Sequence, residues 1–374
     1  MSRSILVTGG AGFVGSHLVD ALVERGDRVR VLDNLDPQVH GPARRAPEWL
    51  PGGVELVRGD VRDRGIWEVV LDEVDVVYHL AAAVGVGQSM YRVADYMEVN
   101  TQGTANLLQV LVDRDARLDR LVVASSMSIY GEGRYRDADG RLVDRVRRSP
   151  DALKRHEWEP TDARGRPLAP VPTDEDKPLD PTSIYALSKA DQEAMALMLG
   201  QAYDIPTTAL RFFNIYGPRQ ALSNPYTGVV AIFSSRLLNG EPPLIYEDGL
   251  QQRDFVSVHD IVQALLLSAD APSAVGRVLN IGSGEPTTIL DVARKLARVL
   301  GADAEPEVTG RYRVGDVRHC TADISRAREV LGYEPRIAFD HGLEELLEWL
   351  RSQEAPESRA GAHVAELAAR GLAF

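Results

Sequence analysis

The sequence predicts an α/β fold: a doubly wound parallel sheet with a smaller C-terminal α+β lobe. Three observations predict it. Short apolar runs alternate with helix-length stretches through about the first 125 residues. A glycine-rich turn, GGAGFVG at 9–15, separates the first apolar run from the first helix. Beyond about residue 205 the alternation loses its regularity, as in a lobe of helices and short strands.

In chain order, Ser4–Thr8 is the first strand, and Leu18, Ala21 and Leu22 give residues 16–24 the spacing of a helix. Arg28–Asp33, 54–58, 74–80 and 121–124 follow as strands, with helices over about 64–72 and 96–114 between them. Such strands pair in parallel through right-handed crossovers. From about 131 to 180 the pattern lapses into Arg, Asp and Pro, read as a flap inserted at 132–172. Its segments 137–142 and 162–168 resemble the paired knuckles of a zinc ribbon, but carry Asp, Ala and Arg instead of cysteine. No metal is expected there. Residues 183–203 form a helix that is apolar nearly all round, which predicts burial on both sides: one against the sheet, the other against a second subunit. The expected assembly is a homodimer. Residues 207–213 are a further strand, and helices at about 259–269, 288–300 and 340–351 belong to the smaller lobe. The implied division is 1–205, 206–350 with a strand returning to the sheet, and a tail at 351–374 that is either a docked helix or frayed.

The 374 residues carry 55 acidic and 42 basic side chains, a formal charge of −13. That balance argues against nucleic acid or an anionic membrane surface, which are gripped by clustered Lys and Arg. Cys320 is the single cysteine, which excludes an intrachain disulfide framework and a four-thiolate zinc site. With no apolar run of about 18 residues and no signal peptide, a cytoplasmic protein acting on small molecules is expected.

The turn at 9–15 has glycines at 9, 12 and 15, between a strand and a helix. Glycine there permits a tight turn, close approach of a pyrophosphate, and close helix–strand packing. The helix N-terminus beyond it offers unpaired N–H groups to phosphate. Asp33 ends the second strand 18 residues after Gly15, where a carboxylate accepts from ribose hydroxyls and repels a 2′-phosphate. Its neighbours Asn34 and Leu35 supply no arginine, so NAD is expected rather than NADP. Asp60 and Val61 follow the third strand, where an aspartate can meet the adenine amino group or simply cap a helix.

Tyr185 and Lys189 are four residues apart, on one face of a helix. A phenol is a poor base at neutral pH, and a neighbouring ammonium favours its phenolate. Ser125, Ser126 and Ser128 make a serine-rich turn at the end of the fifth strand, where ligands bind in such sheets.

With GGAGFVG, Asp33, HLAA at 79–82, SSMSIYG at 125–131, YALSK at 185–189 and RFFNIYGP at 211–218, the chain resembles the extended short-chain dehydrogenase/reductase family. Within it the likeness is greatest to nucleotide-sugar epimerases, and it runs from about residue 4 to 350. The resemblance implies a Rossmann-type domain and a nucleotide-diphosphate sugar as substrate. It implies Ser126, Tyr185 and Lys189 as catalytic residues, with Tyr185 the base and acid. It implies that NAD is held by Gly9, Gly12, Phe13, Val14, Gly15, Asp33, Asn34, Asp60, Val61, Leu80, Ala81, Ala82, Asn100, Tyr185, Lys189 and Phe213. Ser126, Asn214, Arg253, Arg313 and Asp316 match positions that grip the nucleotide sugar, with Arg318 a second cation for its anion.

Family members of this kind first oxidise C4 of the sugar. Those that then eliminate water carry Asp-Glu directly after the catalytic residue; here those positions are Met127 and Ser128, which disfavours dehydration. Epimerisation at C4 needs nothing further. The 83–89 segment, the run at 32–41 and the flap resemble bacterial epimerases of dTDP-L-rhamnose or UDP-glucose, so either nucleotide remains open. A dehydratase, decarboxylase or 4-ketoreductase is the alternative enzyme. A non-catalytic NAD-binding regulator would have a broken Tyr/Lys pair, and this pair is intact.

Overall fold

The structure, a computed structural model, describes residues 2–222, 228–313, 315–353 and 368–374. Seven strands form its main sheet: β1 (Ser4–Thr8), β2 (Arg28–Asp33), β3 (Glu55–Arg58), β4 (Val76–His79), β5 (Arg120–Ser126), β6 (Thr207–Phe212) and β7 (Val278–Ile281). Their order is 3-2-1-4-5-6-7, and every pairing is parallel. Chain order reverses between β1 and β4, which opens a crevice at their carboxyl ends. The strands read as continuous apolar runs because helices cover both faces. Ile5, Val7 and Val122 pack with Leu18 of helix α1 (Phe13–Glu24). Leu6, Val77 and Val123 point the other way, toward Leu107 and Leu111 of helix α2 (Gly103–Asp113).

Helix α3 (Ile184–Ala202) packs one side inward, and that side is more polar than its composition suggests. Its buried face carries Ser188, Lys189, Gln192 and Glu193, while Leu187 is 42% and Met198 71% exposed. The inward polar groups serve a cavity and a buried ion pair, Arg211 with Glu193 at 2.5 Å. Leu187 and Met198 are left to the outside, while Ala196, Met195 and Leu199 join the core on that face of the sheet.

The smaller lobe is built on Asn214–Tyr216, Gln252–Ser257 and Pro286–Thr288, with His319–Cys320 paired alongside. Helices Val229–Leu238, Ile289–Leu300 and Phe339–Arg351 enclose Tyr216, Phe233, Phe255, Leu296 and Leu346. Between these pieces the chain returns to the main sheet, where β7 pairs with β6. No helix among the described residues is long and apolar enough to cross a membrane.

The flap has three short strands, Arg134–Arg136, Leu142–Val143 and Ala169–Val171. Each knuckle turns on an aspartate. Asp137 accepts from the N–H groups of Asp139 and Arg141, and Asp162 from those of Arg164 and Arg166. Arg166 ties the two together, donating to Asp162 at 2.7 Å and to Asp139 at 3.0 and 3.2 Å. Among the described residues no group of three or more His, Cys, Asp or Glu is placed to hold a metal ion.

The flap also explains Arg318, which sequence reasoning assigned to the anion. Its side chain is fully buried, with Glu159 at 2.5 Å, Glu247 at 3.0 Å and Asp248 at 2.7 Å. A buried guanidinium needs such partners, and with its charge balanced there it does not line the cavity. Of the tail, 354–367 lie outside the described residues; 368–374 dock on the smaller lobe, with Ala373 bridged to Arg313.

Candidate active site

A cavity of about 790 Å³ lies between the carboxyl ends of the sheet strands and the smaller lobe. Its dinucleotide end is the glycine turn. Gly9 has φ +69°, and a Cβ there would lie 3.0 Å from the Ala81 backbone. No side chain caps α1, so the N–H groups of its first turn face the cavity free of a competing cap. Gly9, Gly12, Phe13, Val14 and Gly15 all line it. A tight glycine turn with uncapped N–H groups behind it fits a pyrophosphate.

Asp33 and Asn34 line the same end. Asp33 braces the turn as well, accepting from Ala11 N–H at 3.0 Å and Leu35 N–H at 2.8 Å. Arg44 reaches this corner, but its guanidinium donates to the carbonyls of Asn34 and Leu35, and it does not line the cavity. The arrangement suits a free ribose and opposes a 2′-phosphate. Val61 lines the cavity, whereas Asp60 stands behind it. Arg62 binds the Asp60 carboxylate and holds it down to about 2, with Asn34 also donating to it. Sequence reasoning missed Arg62, which takes the lining position beside Val61.

At the reacting end, Leu80, Ala81, Ala82, Ser126, Tyr185 and Lys189 converge. Ser126 ends β5, where its Oγ accepts from Ser128 Oγ at 3.0 Å. Tyr185 sits in the first turn of α3, capped by Ser183. Burial pushes the Tyr185 phenol up, and the Ser126 hydroxyl beside it pulls it back. Burial pushes Lys189 down to about 7, against the attraction of Glu193.

A buried polar chain fixes these groups. Lys189 Nζ donates to Gln192 Oε1 at 2.6 Å, and Gln192 Nε2 donates to Thr104 Oγ1 at 2.7 Å. Thr104 donates to the Asn100 carbonyl, so it accepts from His79 Nε2 at 2.9 Å. His79 Nδ1 then accepts from Thr8, whose oxygen receives the N–H groups of Leu80 and Ala81. Burial keeps His79 neutral, down to about 3. Asn100 belongs to this frame and does not line the cavity. It lies in a wide π-type turn, Met97–Gln102, and bonds the Ala83 N–H, the Ala83 carbonyl and Ser188.

The smaller lobe supplies the far end: Phe213, Asn214, Arg253, Arg313 and Asp316 all line the cavity. Arg253 donates to the carbonyls of Gln252 and Arg318 and lies 3.5 Å from Asp316. The Arg313 guanidinium lies 4.3 Å over the Tyr246 ring. Four buried polar atoms here lack a partner among the described residues: Asn214 Oδ1, Gln220 Oε1, Gln251 Oε1 and Arg313 Nε. Unpaired polar atoms beside two arginines fit a polar, anionic ligand. Sequence reasoning missed Gln220, Tyr246 and Gln251; Gln251 lies two residues before Arg253, the period of one strand face.

A parallel sheet whose first turn cradles a dinucleotide, and whose fifth strand ends against a Tyr-x-x-x-Lys helix, is the architecture of the extended short-chain dehydrogenases/reductases. A family model of the NAD dependent epimerase/dehydratase family matches residues 5–150, and one of GDP-mannose 4,6 dehydratase matches 165–346. The dTDP-L-rhamnose 4-epimerase of Burkholderia thailandensis is 38% identical over 94% of this chain and 96% of that protein. The structure of UDP-glucose 4-epimerase from Thermotoga maritima with UDP-glucose superposes with a TM-score of 0.75 at 31% identity, covering 93% of this chain and 98% of that one. UDP-glucuronic acid 4-epimerase from Bacillus cereus, with UDP-glucuronic acid and NAD, gives 0.76 at 27% identity over 93% and 99%. The chain belongs to the NAD-dependent epimerase/dehydratase family. It is an enzyme of the nucleotide-sugar epimerase type, with NAD as its cofactor.

Proposed function

We propose that this chain inverts C4 of a UDP- or dTDP-hexose through a transient 4-keto sugar. One observation carries the reading: Ser126, Tyr185 and Lys189 share a cavity with a glycine cradle at one end and two arginines at the other. Residues 1–205 hold NAD, and 206–350 supply most of the nucleotide-sugar site. NAD, when bound, would supply the reversible hydride chemistry at C4. Tyr185 removes the C4 hydroxyl proton and later restores it, and Ser126 hydrogen-bonds the reacting oxygen. Lys189 holds the nicotinamide ribose and favours the Tyr185 phenolate. Arg253 and Arg313 face the diphosphate, while Asn214, Gln220 and Gln251 meet the nucleoside.

Dehydration is the poorer reading although a dehydratase family model matches the second half. Met127 is buried, and Ser128 donates to Ser126; neither is an acid or base near neutral pH. The outward aliphatic face of α3, with Leu187 and Met198, supports a homodimer packed on that helix. A cytoplasmic location completes the proposal.

The test is a panel of UDP- and dTDP-hexoses, followed by chromatography of the recovered sugars. A C4 epimer of one of them is expected; a released 4-keto-6-deoxy sugar would contradict the roles given to Met127 and Ser128.

Lys189 makes the cofactor step pH-dependent. Burial lowers its pKa to about 7, and ribose hydroxyls accept hydrogen bonds from the charged form. Bound NAD therefore raises the lysine's pKa, so protein stripped of nucleotide takes up a proton as it binds NAD at pH 8. Affinity for NAD falls as pH rises above 7. Calorimetry in two buffers of different ionisation enthalpy should show this uptake, and Lys189→Met should abolish it.

A further inference from the structure

Residues 368–374 span the cavity mouth from one lobe to the other. At one end the Arg370 guanidinium lies 4.2 Å over the Tyr91 ring, and Met90 and Arg92 on either side of that tyrosine line the cavity. Tyr96, in the turn that follows, meets the Tyr185 ring edge-on at 6.4 Å. At the other end Ala373 forms an antiparallel bridge with Arg313. Tyr312 N–H donates to the Phe374 carbonyl at 2.9 Å, and Phe374 N–H to the Tyr312 carbonyl at 3.0 Å. The Phe374 ring stacks on Tyr312 at 5.6 Å, and Tyr312 in turn meets Trp158 of the flap at 6.2 Å. Between these anchors, Leu372 lines the cavity.

Resting on the reading of the ligand as a nucleotide sugar, the two anchors say what lies beneath. The reacting carbon must meet Tyr185, and the diphosphate must meet Arg253 and Arg313, so the hexose ring occupies the interval that the segment crosses. We infer that residues 368–374 are a strap over the hexose and that Leu372 is a sugar-contacting residue. An aliphatic side chain in that place covers a ring face that water would otherwise wet, and it stabilises the bound sugar without touching the nucleotide. The strap therefore discriminates the hexosyl nucleotide from the bare nucleoside diphosphate. It also gives the flap a route to the sugar, through Trp158, Tyr312 and Phe374.

The experiment compares the wild type with Leu372→Gly, Leu372→Met and a chain ending at residue 367, each carrying its NAD. Calorimetry measures binding of UDP and dTDP, and of the UDP- and dTDP-hexoses; turnover gives KM and kcat. Leu372→Gly and the shortened chain are expected to bind the hexosyl nucleotide about tenfold more weakly, the scale of one buried leucine contact. In Leu372→Gly, which keeps the bridge to Arg313, binding of the nucleoside diphosphate should be unchanged, and Leu372→Met should restore most of the loss. In Leu372→Gly, equal weakening toward UDP or dTDP and their sugars, or no weakening toward either, overturns the strap while a wild type that epimerises leaves the function standing. A wild type that binds no hexosyl nucleotide in the panel overturns both.

Discussion

Tyr185→Phe is expected to lower turnover by about 10³-fold or more while leaving NAD in place. The figure follows from removing the only proton carrier assigned to the C4 oxygen, since positioned acid–base groups contribute about 10²–10⁴-fold. NAD should stay because, on the proposed reading, the turn at 9–15 and Asp33 hold it at the other end of the cavity from the phenol. Phenylalanine also keeps the edge-on contact with Tyr96. Burial raises the Tyr185 phenol and lowers Lys189 to about 7, and the lysine Nζ donates to Gln192. The variant should show no NADH absorbance near 340 nm with any substrate. NAD content comes from the supernatant of denatured protein, and turnover from chromatography of sugars. Activity within tenfold of wild type would remove Tyr185 as the base.

The sheet and the dinucleotide end were legible in the sequence because their signals are local. A strand, a glycine turn and a helix are contiguous, and Asp33 follows at the end of the next strand. Tyr185 and Lys189 were legible for the same reason, since a helix brings residues four apart to one face. What was not legible depends on distance or on phase. Arg318 reads as a cation in an anion-binding segment, but its partners Glu159, Glu247 and Asp248 lie 159, 71 and 70 residues away. The composition of α3 is apolar, yet the direction of its buried face is set by what the sheet presents to it. Lys189 and Gln192 turn inward to Thr104 and His79, and Met198 is left outside. Asn100 was legible as important and not as placed, because the wide turn at Met97–Gln102 decides where its amide goes. Leu372 had no signal at all: its neighbours Ala373 and Arg370 meet Arg313 and Tyr91 only through the fold.

Gly15→Ala should empty the cofactor site. A Cβ on Gly15 would sit 2.2 Å from the Gly9 carbonyl oxygen and 2.7 Å from Gly10 Cα. Both are backbone, so no side chain can rotate away; the turn and α1 must separate by about 1 Å to restore van der Waals contact. The Gly9 carbonyl also receives the Gly12 N–H at 3.1 Å, so the shift works against the bond that closes the turn. A displacement of that size misaims the N–H groups of the first helical turn, and errors of about 1 Å in positioning can cost 10²-fold. NAD affinity is therefore expected to fall by about 10²-fold or more. Gly12→Ala is the milder comparison, because its Cβ would meet the Gly9 oxygen at 3.3 Å. The loss has a chemical consequence beyond occupancy. An epimerase must keep reduced cofactor and keto sugar together between the two hydride transfers, so a loosened cradle lets the cycle stop halfway. With added NAD, Gly15→Ala should release traces of 4-keto sugar and NADH where the wild type returns only hydroxy sugars. Mass spectrometry of the products and the NAD content of the purified variant test this. A variant that keeps a full complement of NAD would show that the turn does not cradle the pyrophosphate.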